Sequence, residues 1–304
     1  MDLLRISATA HGINYLPEYY AAATGGFERR GLEVVSSYPH PWDGVIADLA
    51  SGDADLALGG IWAPAMYAGS GRDLVAIGQL NARFPMAIVT REPAADFTWS
   101  WMTGRTVLAP GQGGTAPYEF VAGLMRESGV DPAGTKFVRD LSAPMLGELF
   151  ENGLGDALIA DPGTAASMSL AAAGHVACLL ATAGPMANSV YYTDRRRLDE
   201  VHDRAVALMG GIAEAMEALS AGADPTAVIA REWPGGDHRA LGEAAAMLAA
   251  DGTWSGIAIE PDALARWVGF LHERGLAVKQ APFEELVDAR VAAAVALEGA
   301  TRWA

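Results

Sequence analysis

Two histidines, His11 and His40, stand just past short runs of strand-forming residues, where an imidazole near neutral pH can give or take a proton. They are the candidate acid–base pair if the chain is an enzyme. Tyr15, Trp42 and Trp62 fall at comparable places and offer flat faces to a flat ligand, although core packing is the ordinary use of such rings. Asn14 lies beside Tyr15. Gly59 and Gly60 precede Trp62 and let a backbone come close to a second body. The turn Gly111-Gln112-Gly113-Gly114-Thr115 opens a helix, and its free N–H groups and positive helix end favour a carboxylate, sulfonate or phosphate. A purely structural tight turn is the alternative. Asp161, directly before Pro162, is either a cleft carboxylate or a helix cap.

Other chemistries lack their residues. Gly111 to Ala116 satisfies the G-x-G-x-x-A dinucleotide pattern, yet Pro110 and Pro117 flank it and no acidic residue is placed for a ribose. No Gly-Lys-Ser/Thr follows, so a P-loop is excluded. The six histidines (His11, His40, His175, His202, His238, His272) show no metal-binding spacing, and Cys178 is the single cysteine. It reads as a structural thiol. Lys136 and Lys279 are the only lysines, neither at a strand end facing a cleft, so a pyridoxal-phosphate Schiff base is not expected. Neither a cofactor nor a metal is expected.

The 304 residues are 51% apolar, enough for one large or two medium domains. Twenty-one Lys and Arg stand against 37 Asp and Glu, a formal charge of −16. That balance argues against nucleic acid and anionic membranes, which require a basic surface. No apolar run approaches the roughly 18 residues of a bilayer span, so membrane insertion is not expected. Met1-Asp2-Leu3-Leu4-Arg5-Ile6 enters a strand at once, without the marks of a secretion leader. As written, a cytoplasmic protein is expected; a leader encoded upstream would move it to the periplasm or cell surface.

The elements that must position these residues alternate. Strands are predicted at 3–9, 32–36, 56–58, 73–80, 86–90, 106–110, 136–138, 157–160, 176–181 and 189–193, with helices between and an almost wholly helical stretch from Leu198. One supersecondary unit occurs twice. A helix ends at Gly52, Asp55 leads the strand Leu56-Ala57-Leu58, and a helix follows Gly59-Gly60. A helix ends at Gly153, Asp156 leads Ala157-Leu158-Ile159-Ala160, and a helix follows Asp161-Pro162. The 86–90 and 189–193 strands read as crossings between two lobes, each a mostly parallel sheet flanked by helices. Ligands in such sheets sit beyond the carboxyl ends of strands, which is what selects the residues above.

Several segments, in order, resemble one family. Leu16-Pro17-Glu18-Tyr19-Tyr20-Ala21 with Gly26-Phe27-Glu28-Arg29-Arg30-Gly31-Leu32 resembles the opening signature of the thiamin-pyrimidine-synthase-like substrate-binding proteins, which include binding components of sulfonate, taurine and thiamin-pyrimidine ABC importers. Leu49-Ala50-Ser51-Gly52-Asp53-Ala54-Asp55, Gly104 to Thr115 with Ser128 to Pro132, and Gly155-Asp156-Ala157-Leu158 resemble later signatures. The resemblance implies a two-lobed type II periplasmic-binding-protein fold. Lobe one would be residues 1–88 plus 190–304, lobe two 89–189, with a ligand in the cleft and hinge closure. The cysteine-rich motif and site lysine of eukaryotic thiamin-pyrimidine synthases are missing, which excludes that activity.

Two functions follow. One is a solute-binding component closing on a small organic anion or heteroaromatic and delivering it to an ABC permease, with Asn14, Tyr15, Trp42, Gly60, Trp62, Gln112, Gly113, Gly114, Thr115 and Asp161 around the ligand. The other is a cytosolic decarboxylase, lyase or hydrolase on the same fold, with His11 and His40 facing each other as acid–base groups. A desulfinase-like cysteine is absent after the first strand, where His11 stands instead. The motifs favour the binding protein.

Overall fold

A computed structural model describes residues 1–111 and 114–301. The first half of the chain runs β1 (Asp2–Ala8), α1 (Leu16–Ala23), β2 (Leu32–Ser37), α2 (Gly44–Ser51), β3 (Leu56–Gly60), α3 (Trp62–Tyr67), β4 (Leu74–Gln79), β5 (Ala87–Thr90) and β6 (Thr106–Leu108). Next come α4 (Ala116–Glu127), β7 (Lys136–Val138), α5 (Ala143–Glu151), β8 (Ala157–Ala160), α6 (Pro162–Leu170), β9 (His175–Leu179) and β10 (Ser189–Asp194). Six helices close the described chain: α7 (Leu198–Ser220), α8 (Thr226–Glu232), α9 (His238–Ala250), α10 (Pro261–Glu273), α11 (Phe283–Leu286) and α12 (Arg290–Thr301).

The strands form two five-stranded sheets, ordered β2-β1-β3-β10-β4 and β7-β6-β8-β5-β9. In each, four strands run one way and one runs against them: β10 in the first, β5 in the second. The reversed strands are the two that enter from the other sheet. The edge strand β4 and the inner strands β5 and β8 are buried along their whole length, as apolar runs covered on both faces must be.

The repeated unit is visible as geometry. Gly52 and Gly153 both take positive φ, +84° and +101°, closing the turns that follow α2 and α5. Asp55 then accepts the N–H of Arg5 at 2.9 Å, and Asp156 accepts the N–H of Thr106 at 2.8 Å. In both sheets the leading carboxylate tethers the neighbouring parallel strand.

Between the sheets, the two connecting segments bond to each other. Met186 N donates to Ala82 O (2.9 Å), Asn188 N to Asn81 O (3.0 Å) and Leu180 N to Met86 O (2.8 Å). The C-terminal helices join both halves, a placement that amphipathic patterning alone does not specify. α9 packs along α6, and α10 packs on both α3 and α4. Phe84 from a connecting segment stacks on Phe120 of α4 with centroids 4.1 Å apart, and Trp267 of α10 meets both edge-on. A Cβ at Gly123 would overlap the Phe270 ring, so only glycine lets α4 and α10 come this close. Arg266–Glu127 (2.5 Å) and Arg274–Glu119 (3.1 Å) pair across the same contact.

Candidate functional site

Four strand ends converge at one edge of the first sheet. β1 delivers Thr9 and, after a short loop, Asn14 and Tyr15; β3 ends on Gly59 and Gly60; β4 leads into Asn81; and β10 begins with Ser189. The antiparallel register sets Ser189 opposite Gly60 and Val190 opposite Gly59. A Cβ on Gly59 would fall 2.6 Å from the Thr9 methyl group, so glycine lets that side chain lie across the strand end. The Thr9 and Tyr15 hydroxyls lie 3.3 Å apart. Burial pushes the Tyr15 phenol up, against the lowering effect of its bonds to Thr9 and Ser189, so it stays a neutral donor.

Asn14 and Asn81 lock each other. Asn14 Nδ2 donates to Asn81 Oδ1 at 3.1 Å, and Asn81 Nδ2 donates back to Asn14 O at 2.9 Å. Trp254 Nε1 also donates to Asn14 O, at 3.1 Å. The edge is therefore a wall of hydroxyl, amide and phenol groups, and all of them are uncharged. Thr9, Asn81, Asn188 and Ser189 were not among the residues chosen from the sequence. Asn81 follows a strand end and was available to the same rule; Asn188 and Ser189 start a reversed strand, which the rule does not cover.

Trp42 and Trp62 meet here as an edge-to-face pair, with centroids 4.8 Å apart and planes at 71°. The Trp62 indole folds back over the end of β3, and a Cβ on Gly60 would overlap its Nε1. The second sheet supplies Gly114, with φ +107°. A Cβ there would lie 3.1 Å from Trp62 Cζ2 and 3.7 Å from Trp42 Cζ2. Gly114 thus faces both indoles across the gap between the sheets. Its turn is held by Gly114 N donating to Gly111 O (3.0 Å) and Gly111 N to Leu141 O (3.1 Å). Thr115 is half-buried at the N-terminal boundary of α4, and its side chain makes no capping bond. Gln112 and Gly113 lie outside the described residues.

Two expectations come out differently. His11 and His40 do not form a pair: His40 is exposed, and among the described residues no hydrogen bond, ion pair or ring contact joins it to His11. His40 is exposed although its loop neighbours Tyr38 and Trp42 turn inward, and the His11 ring turns toward α8. There Nε2 stands 3.3 Å from Glu232 Oε2, and Tyr19, Trp233 and Tyr38 surround it at 4.9, 4.8 and 5.0 Å. Burial and the nearby acids raise the Tyr38 phenol to about 12. Asp161 caps α6, accepting the Thr164 N–H at 3.1 Å and its hydroxyl at 2.5 Å. Both of its oxygens are thereby engaged by the helix it starts.

Beneath the edge lies a buried carboxyl. Glu18 is 3% exposed, with Ser36 Oγ donating to it at 2.6 Å and Tyr191 OH at 2.5 Å. Burial raises its pKa despite those two bonds. A cavity of about 1040 Å³ lies elsewhere, lined by α7, α12 and residues 252–260. Two of its polar side chains are engaged: Arg30 pairs with Glu214 and Glu298, although its Nε is buried without a partner, and the Gln79 amide donates to Gly256 O and Ala258 O. Among the described residues no group of three or more His, Cys, Asp or Glu is placed to hold a metal, and no helix is long and apolar enough to cross a membrane.

Two mixed sheets, each with one reversed strand that enters from the other, define a periplasmic-binding-protein-like fold. The chain belongs to the NMT1/THI5-like family, whose signature matches residues 13–226. No curated protein sequence matches it. It is similar to the periplasmic sulfonate-binding protein SsuA of a sulfonate ABC transporter from Methylobacillus flagellatus KT (13% identity, 99% of this chain and 95% of that one, TM-score 0.75). The aliphatic sulphonate-binding protein SsuA of Escherichia coli is similar as well (17% identity, 94% and 91%, TM-score 0.74). So is the desulfurization enzyme DszB (13% identity, 98% and 100%, TM-score 0.66). These likenesses show the fold; both binding proteins and an enzyme share it.

Proposed function

We propose that this protein binds a small organic molecule in the gap between its two sheets, as the solute-binding component of an ABC-type importer. The observation that carries the reading is the meeting of Trp42 and Trp62 from one sheet with Gly114 from the other, beside a wall of neutral hydrogen-bonding groups. Few precisely placed polar groups and aromatic faces are what a small-molecule site needs. The sulfonate-binding proteins of like fold support an oxyanion-bearing ligand; the paired indoles support a heteroaromatic one. The lobes, residues 1–88 plus 190–304 and residues 89–189, would close about the connecting segments at Ala82 and Met186.

The enzyme alternative gains nothing from the geometry, because His11 is engaged by Glu232 and His40 is exposed. Calorimetric titration against alkanesulfonates, taurine, nitrate and aminopyrimidines, with mass spectrometry of the recovered ligand, tests the proposal. Saturable one-to-one binding of an unaltered ligand is expected. Chemical conversion of any of them would overturn it. An importer component also works outside the cytoplasmic membrane in company with a permease, so cell fractionation and co-purification of a permease test that part.

A further inference from the structure

We infer that Trp62 is a resident plug: its indole occupies the slot that a flat aromatic ligand takes, and it must swing out before that ligand enters. This rests on the binding reading above and names both the ligand's shape and the group that competes with it. The indole lies between two glycines from different sheets. On one side a Cβ at Gly60 would overlap Nε1; on the other a Cβ at Gly114 would fall 3.1 Å from Cζ2. Any side chain at Gly60 would evict the ring, and one at Gly114 would crowd it. The Trp62 ring thus lies against bare backbone from both sheets, with Trp42 beside it at 4.8 Å and 71°.

An aromatic side chain that only fills core is enclosed by other apolar side chains, as Trp267 is by Phe84, Phe120 and Phe270. Trp62 packs against the core as well, but it is half-buried, sits at the first position of a six-residue helix, and lies against Gly114 from the other sheet. An edge-to-face aromatic pair is worth about 0.5–1.5 kcal/mol beyond its burial. That is small enough for a ligand to displace.

Indole itself is the probe. Calorimetry and thermal unfolding are run with the intact chain, with Trp62→Ala and with Trp62→Leu, the second retaining more apolar packing. The plug predicts that indole binds Trp62→Ala one-to-one at least tenfold more tightly than the unsubstituted chain, and raises the melting temperature of both variants while leaving the unsubstituted chain unmoved. Adding Gly60→Val to Trp62→Ala refills the slot and abolishes the gain. If indole binds the unsubstituted chain better than Trp62→Ala, the indole is a stacking wall, and the plug is wrong. No gain in either variant also overturns it. The outcome is separate from the binding reading, which stands or falls on the sulfonate and pyrimidine titrations of the unsubstituted chain.

Discussion

Asp55 and Asp156 hold the same place in the two copies of the helix–strand–helix unit, and their surroundings diverge. Both accept a backbone N–H from the neighbouring strand. Asp55 is buried and also pairs with Arg197, which immediately precedes the long helix α7, at 3.1 Å and with Arg204 of that helix at 3.2 Å. Asp156 is exposed, and no ion pair to it is found among the described residues. The same motif thus builds two sheets, but only the first is anchored to the C-terminal helices through its leading carboxylate. At their other ends the units diverge further. β3 runs into Gly60 and Trp62, which fold over the gap, whereas β8 runs into Asp161, whose oxygens are spent on a helix cap. The shared end builds the fold, and the other ends diverge.

The largest effect expected from this comparison is Asp55→Ala. It removes one of the two carboxylates that Arg197 and Arg204 share, Glu200 being the other, together with the bond to Arg5 N, and should cost about 1.5–3 kcal/mol in urea unfolding, against about 1 kcal/mol for Asp156→Ala, which loses one hydrogen bond. Equal losses would break the comparison. Glu18→Gln comes next. A carboxyl whose pKa is raised in the fold contributes stability that is fully present below its unfolded value and is lost as pH rises through the folded one. Stability of the unsubstituted chain should therefore fall as pH climbs above roughly 4.5, the ordinary glutamate value, and the variant's profile should be flatter over that window. A smaller loss, about 1 kcal/mol, is expected for Asp161→Ala through the lost cap, with ligand affinity unchanged. His40→Ala should be the mildest, within about 0.5 kcal/mol of the parent and equal in ligand binding. A drop in affinity there would place His40, and not only Trp42 of the same loop, at the ligand.

Much of the frame was legible. Leu56-Ala57-Leu58 and Ala157 to Ala160 are short apolar runs bounded by an aspartate and a helix signal, and strands buried on both faces leave that trace. The strand-end rule picked out Trp42, Gly60, Trp62 and Gly114, which lie together. It did not say that the Trp62 ring folds back between two glycines, because a rotamer leaves no mark in the sequence. His40 was chosen by the same rule, but the loop after β2 is not bound to follow the sheet edge. Ser189 escapes that rule because a reversed strand presents its first residue, not its last, to the site, whereas Asn81 follows the end of β4 and falls within it. The apolar faces of α9 and α10 announced burial without naming α6 and α4 as the surfaces they cover.

Amide hydrogen exchange with and without a ligand found by the titrations tests the central claim most directly. Binding between the sheets predicts simultaneous protection of residues 58–62 and of the start of α4, with 252–260 and α12 unchanged. Protection confined to the segments around the 1040 Å³ cavity, with neither strand end affected, would contradict it.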